Sequence, residues 1–148
     1  MTTDPAKFGV GDASFKAAGG ERGIRALVDT FYDLMEADPR FRTIWEMHPP
    51  DRTMSRDKLA VFLCGWLGGP RNYQAKYGSL NIPRAHQHLT VGLPERDQWL
   101  SCMAQAIDEC IDDKAFRTYL VEQLSVPANA IVKRSQAMAD SAAESDQL

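Results

Sequence analysis

Apolar side chains recur at helical spacing along most of this chain, and no stretch of any length alternates as a strand requires. Over residues 21–37 the positions Ile24, Leu27, Val28, Phe31, Leu34 and Met35 mark one face of a helix. Asp38-Pro39 ends it, because a residue before proline disfavours the α region. Residues 41–47 predict one short helical turn, followed by the rigid loop His48-Pro49-Pro50-Asp51. Thr53 or Ser55 is expected to cap the next helix, whose stripe is Leu59, Phe62, Leu63 and Trp66 and whose stop is Gly68-Gly69-Pro70. Residues 71–81 are polar, with Tyr73 and Tyr77 as their only large rings. Pro94-Glu95-Arg96-Asp97 places proline and acids where a helix opens, and Trp99, Met103, Ala106 and Cys110 follow at helical steps. Residues 114–136 carry Phe116, Tyr119, Leu120, Leu124, Ile131 and Val132 on one side, with Pro127 expected to bend or interrupt the helix near Ser125-Val126. A short helix around residues 13–18, closed by Gly19-Gly20, precedes these elements. The tail from Ala137 has no apolar stripe and is expected to fray. The fold class is all-α.

The most informative stretch is 77–103. Ile82 stands four residues before His86 and Leu89 three after it, so on a helical turn the imidazole points where apolar side chains point. Pro83 restricts that helix to about a turn. Two readings are open for such a histidine. It is either hydrogen-bonded inside a core, or a neutral imidazole ligating a metal between two helices, most naturally a haem iron. Other residues carry similar alternatives. Tyr32, one position beyond Phe31, can be a rim tyrosine with its hydroxyl in water; Ser55 can be a plain cap, and His48 a solvent-facing loop residue.

Composition narrows the function without naming it. The 148 residues suffice for one domain burying roughly two-thirds of its unfolded surface. A net charge of −3 provides no general basic field, so nucleic acid is a poor partner. No apolar run approaches the roughly 20 residues needed to span a bilayer, and the first residues lack the basic-then-apolar order of a signal peptide. Cys64, Cys102 and Cys110 are an odd set without CxxC spacing. They read as small buried hydrophobes in a reducing compartment, with the cytoplasm as the default location.

The ordered set Gly68-Gly69-Pro70, Tyr73, His86, Val91-Gly92, Glu95-Arg96-Asp97-Gln98-Trp99-Leu100 and Met103 resembles the proximal half of the group II truncated globins. These are the two-over-two haemoglobins of bacteria and plants, and a weaker likeness runs over about 20–134. The resemblance implies a two-over-two helical sandwich around haem b (iron protoporphyrin IX), with His86 as proximal iron ligand. It divides the chain into an N-terminal extension with a short helix (1–19), the globin domain (20–136) and a flexible C-terminal tail (137–148).

On the distal side it makes Phe31-Tyr32 the family's distal pair, with the Tyr32 hydroxyl and the Trp99 indole N–H as donors to a bound ligand. The family also sets a ring against the haem at the corner. The shorter family spacing lands on Trp45, whereas the His48-Pro49 match needs a three-residue insertion, as in a cold-adapted marine subgroup; His48 is preferred. Ser55 falls where larger globins place a distal histidine.

Ile82, Leu89, Val91 and Met103 are expected to form the lower wall of the haem pocket, and Phe31, Leu59, Phe62 and Leu63 the upper wall, with Tyr77 also in the pocket. Group II relatives commonly place an arginine directly before the proximal histidine. Here that residue is Ala85, leaving Arg84, Tyr73 and Lys76 as candidates for the propionates.

The implied function is reversible binding of dioxygen and other diatomics such as carbon monoxide and nitric oxide. Two donors, with His48 as a third, imply tight retention, which suits redox or reactive nitrogen and oxygen chemistry better than bulk delivery. Nitric oxide dioxygenation or peroxide-dependent oxidation would draw on a separate reductase, since no GxGxxG motif is present. The expected assembly is a monomer or homodimer. A reading from another class is a haem-free helical module that binds a partner, with His86 and Trp99 merely filling a core.

Overall fold

The structure, a computed structural model, describes residues 8–79, 82, 86, 89 and 91–146. Every regular element among them is helical: α1 (Ala13–Ala17), α2 (Gly20–Ala37), a 3-10 turn (Pro39–Phe41), α3 (Arg42–Glu46), α4 (Arg52–Trp66), α5 (Tyr73–Tyr77), α6 (Leu93–Cys110) and α7 (Lys114–Asp146). α2 packs along α4, α6 packs along α7, and α2 crosses onto α6. Two helix pairs therefore lie one over the other. The core between them is built from Ile24, Leu27, Val28, Phe31 and Met35 of α2, Leu63 of α4, Cys102, Met103, Ala106 and Ile107 of α6, and Phe116, Leu120 and Leu124 of α7.

The long periodic segments form where their patterns place them. α2 carries its apolar face inward and ends at Asp38, whose N–H reaches the Leu34 carbonyl before Pro39. α6 opens with Pro94 in its first turn, and the Glu95 carboxylate accepts from the Gly92 N–H at 3.2 Å.

Several expectations are corrected. The cap of α4 is Asp51, whose carboxylate accepts from the Met54 N–H at 3.1 Å, not Thr53 or Ser55. An aspartate directly after Pro49-Pro50 meets the free amides first and also suits the positive helix end. Tyr73–Tyr77, read as part of a polar stretch, forms α5. α7 runs through Pro127 and on past Ala137 to Asp146. Just before the proline, Ser125 Oγ donates to the Glu122 carbonyl at 2.6 Å, and four alanines between Ala137 and Ala143 favour the helical continuation. Cys64 and Cys102 are buried, but Cys110 is exposed at the last turn of α6, and Ile107 takes the inward position.

The arm ahead of α2 is bound to the body. Phe8 is buried with its ring centre 5.0 Å from that of Phe116 and 5.1 Å from that of Tyr119. The Phe15 N–H donates to the Leu67 carbonyl at 3.0 Å. Gly68 lies at φ +96°, and a Cβ there would sit 1.9 Å from the Gly11 carbonyl oxygen. Only glycine permits both that conformation and that approach.

Candidate functional site

His86 lies between α5 and α6. Its Nδ1 lies 2.7 Å from the Ile82 carbonyl oxygen. A carbonyl can only accept, so Nδ1 carries a proton and donates, which leaves Nε2 as the ring nitrogen available to a metal. The Leu89 N–H turns back to the His86 carbonyl at 3.0 Å. Beyond it the Val91 N–H donates to Ser135 Oγ of α7 at 2.9 Å, and Ser135 Oγ stands 3.5 Å from the Leu89 carbonyl. The loop after His86 is thereby joined to the last helix. No pattern in the sequence singles out Ser135.

Tyr32 lies on α2 and His48 in the loop after α3. Tyr32 is 4% exposed, which replaces the rim-tyrosine alternative with a buried one. Its ring packs edge-on to Phe31 at 5.2 Å and to His48 at 5.3 Å. Among the described residues its hydroxyl has no hydrogen-bond partner. Burial pushes the phenol up to about 12, opposed by the charges of Arg56 and Arg52, so at neutral pH it remains an O–H donor.

His48 repeats the tautomer of His86: its Nδ1 donates to the Ile44 carbonyl at 2.8 Å, exposing Nε2. Burial lowers the His48 pKa against the effect of that carbonyl, and Arg52 and His86 lower it further, so the ring is held neutral. Of the two corner candidates, His48 is the one that touches Tyr32; Trp45 instead lies under the Arg52 guanidinium at 4.4 Å.

Trp99 is half-buried and packs edge-on to Phe31 at 5.2 Å. Phe31 itself has no exposed surface, and Leu63 and Met103 are almost as enclosed. Leu59, Phe62, Ile82, Leu89 and Val91 are half-buried. Ser55 lies in the first turn of α4, its hydroxyl 3.5 Å from the Asp51 carbonyl.

The propionate candidates fare differently. Arg84 lies outside the described residues. Lys76 donates to Asp57 Oδ2 at 2.6 Å, the Tyr77 hydroxyl donates to the same oxygen, and Arg25 holds Asp57 Oδ1 at 3.1 Å. These donors pull the Asp57 carboxyl down to about 2, with Lys76 the largest influence. Tyr73 is half-buried with its ring 5.3 Å from that of Tyr77. Neither Asp57 nor its partners announce this hub in sequence, because the three donors come from two other elements.

A helical sandwich that holds a histidine with Nε2 free between its helices and a tyrosine only 4% exposed narrows the choice of fold family. A model of the bacterial-like globin family matches residues 13–133. The chain belongs to the bacterial-like globin family. It is 31% identical over 118 residues to the group 2 truncated haemoglobin YjbI of Bacillus subtilis (strain 168), covering 80% of this chain and 87% of that protein. Among solved structures it is similar to the cold-adapted truncated haemoglobin of the Antarctic marine bacterium Pseudoalteromonas haloplanktis TAC125, with TM-score 0.77 and 32% identity over 80% of this chain and 96% of the other. The group II 2-on-2 haemoglobin of Agrobacterium tumefaciens gives TM-score 0.76 and 34% identity over 80% and 92%. A truncated oxygen-avid haemoglobin of Bacillus subtilis gives TM-score 0.71 and 31% identity over 80% and 98%.

This globin therefore has the two-over-two fold of the group II truncated haemoglobins, and haem, iron and oxygen binding are expected of its family. The residues of the chain fit such a group. The His86 tautomer presents one basic nitrogen, the Tyr32 hydroxyl needs an acceptor, and half-buried Leu59, Phe62, Leu89 and Val91 supply apolar surface for a flat macrocycle. No helix among the described residues is long and apolar enough to cross a membrane.

Proposed function

We propose that this globin binds haem b through His86 Nε2 and uses it to hold dioxygen and other diatomic ligands reversibly beneath Tyr32, His48 and Trp99. The reading rests most directly on Tyr32, buried to 4% with a hydroxyl that has no protein acceptor among the described residues. The hydroxyl is not one of the fully enclosed unpaired atoms of the described residues, so it stays open to a small polar ligand, to which it can donate. Haem, when bound, supplies the iron at which a diatomic ligand is taken up.

The chain's own residues do the rest. The Ile82 carbonyl keeps the His86 ring oriented through Nδ1. Phe31 backs both Tyr32 and Trp99. Neutral His48 presents Nε2 beside the Tyr32 ring and can accept a proton or a hydrogen bond there. Lys76 and Tyr77 are engaged by Asp57, so Tyr73 is the freer propionate partner of that helix, with Arg84 the remaining candidate. Several donors around one ligand favour retention over delivery, which suits a cytoplasmic protein working in redox or reactive nitrogen and oxygen chemistry with a separate reductase.

Stopped-flow release of dioxygen from the reduced protein tests this. Loss of a hydrogen bond worth about 1.5–3 kcal/mol predicts release roughly ten- to a hundredfold faster in Tyr32→Phe. An unchanged rate would remove Tyr32 from the ligand site.

A further inference from the structure

Tyr32 and His48 meet ring to ring, yet they come from different segments, α2 and the loop after α3. Each is tied to the same third element, α4, by an arginine. Arg52 is the first residue of α4, where the positive helix end disfavours a cation. Its guanidinium nevertheless folds back over the Trp45 ring, 4.4 Å from the centre. Nη1 donates to the Pro49 carbonyl and Nη2 to the Trp45 carbonyl at 3.4 Å. These two carbonyls bracket His48. The Arg52 Nε is buried without a protein partner, so the side chain adopts this position at the cost of one hydrogen bond.

Arg56, one turn along, reaches the other way. Its Nη1 donates to Asp29 Oδ1 at 3.1 Å and to the Asp29 carbonyl at 3.3 Å, and its Nη2 to Asp33 Oδ1 at 2.7 Å. Asp29 and Asp33 flank Tyr32 on α2, and the guanidinium stands 5.6 Å from the centre of the Tyr32 ring. Ion pairs this open to solvent add little to folding stability. Their value lies in where they place the groups they hold.

We propose that Arg52 and Arg56 are positioning residues of the distal pocket, making α4 the common reference that sets Tyr32 and His48 against each other and aims both at the ligand. The proposal rests on the haem-binding reading given above. Both arginines act through fork geometry, binding two or more acceptors while lying against a ring, which a lysine ammonium reproduces poorly.

The test uses the carbon monoxide complex of the reduced full-length protein with Arg52→Met, Arg56→Met and the corresponding lysine variants. The infrared C–O stretch reads the donors around the ligand, and nuclear Overhauser contacts between the Tyr32 and His48 rings read their placement. The expected result is a single band in the wild type that splits or shifts towards the Tyr32→Phe position in Arg56→Met. Ring contacts should be weakened in both methionine variants, with little rescue by lysine. In a Tyr32→Phe background Arg56→Met should shift the band no further. An unchanged band and unchanged ring contacts, with only a lower melting temperature, would overturn the proposal and leave the arginines a structural role alone. Where a methionine variant fails to fold, Asp29→Asn with Asp33→Asn releases Arg56 from the other side and must reproduce the shift. If the wild type takes up no haem, it is the haem reading that fails; the ring contacts, read in the chain alone, still decide whether the arginines position the two rings.

Discussion

The backbone N–H of Val91 donates to Ser135 Oγ at 2.9 Å, joining the loop that follows His86 to a helix 44 residues further along. Ser135 also stands within reach of the Leu89 carbonyl, so one hydroxyl serves both polar groups of the loop. Ser135→Ala leaves a half-buried amide without its acceptor, a loss of about 1 kcal/mol. The predicted consequence is a looser proximal loop and haem loss several-fold faster, measured by transfer to an excess of apomyoglobin. An unchanged transfer rate would show that the loop is held by its apolar contacts alone.

Gly68 joins the arm to the end of α4. Gly68→Ala would put a Cβ 1.9 Å from the Gly11 carbonyl in a backbone conformation at φ +96°. Strain of about 1–3 kcal/mol is expected, relieved by release of the arm. Thermal melting should show the lower stability, and proteolysis should show earlier cleavage ahead of Ala13. Removal of residues 1–12 should narrow the difference in melting temperature, leaving the part due to alanine at φ +96°.

Asp57 predicts an acid dependence. Its carboxyl lies at about 2 in the folded chain against an ordinary value of 3.8, because Lys76, Tyr77 and Arg25 donate to it. A lowered carboxyl contributes stability that is complete above its unfolded value and is lost as pH falls through the folded one. Melting temperature should therefore drop between about pH 4 and pH 2. Asp57→Asn should be less stable at neutral pH and show a flatter drop in that window.

The cysteines separate by exposure. Cys64 and Cys102 are buried, and burial pushes the Cys102 thiol up to about 12 while it donates to the Phe31 carbonyl at 3.3 Å. Cys110 is exposed. A thiol reagent at neutral pH should label one site in the native protein and all three after denaturation, with peptide mass spectrometry placing the first on Cys110. Fast native labelling of Cys102 would contradict the packing of α6 on α2.

Much of this architecture is legible in sequence, for reasons that differ by element. α2 and α6 follow from periodic apolar faces bounded by proline, because burial and local chain geometry agree there. Within α6, however, the periodic stripe placed Cys110 inward, and the packing chose Ile107. Of the bend or interruption expected at Pro127, the interruption does not occur, because a single missing N–H does not outweigh the helical turns on either side. The candidate pocket residues rest on resemblance, since a histidine between Ile82 and Leu89 is also consistent with an ordinary core position. The ties that support the pocket were not legible at all. Arg56 to Asp29 and Asp33, Arg52 to the Trp45 and Pro49 carbonyls, and Ser135 to Val91 are pairings set by how helices cross, and surface polar residues carry no periodic mark of their partners.

His86 is the proposed ligand of the haem iron, and the visible absorption spectrum of the purified protein reads that bond most directly, oxidised and then reduced under nitrogen and under carbon monoxide, beside His86→Ala. A Soret band should sharpen and shift with carbon monoxide in the wild type and collapse in His86→Ala, with imidazole added to the variant restoring it in part. A wild-type chain that gains no Soret band on reconstitution with haemin, or an alanine variant whose spectrum matches the wild type, would contradict it.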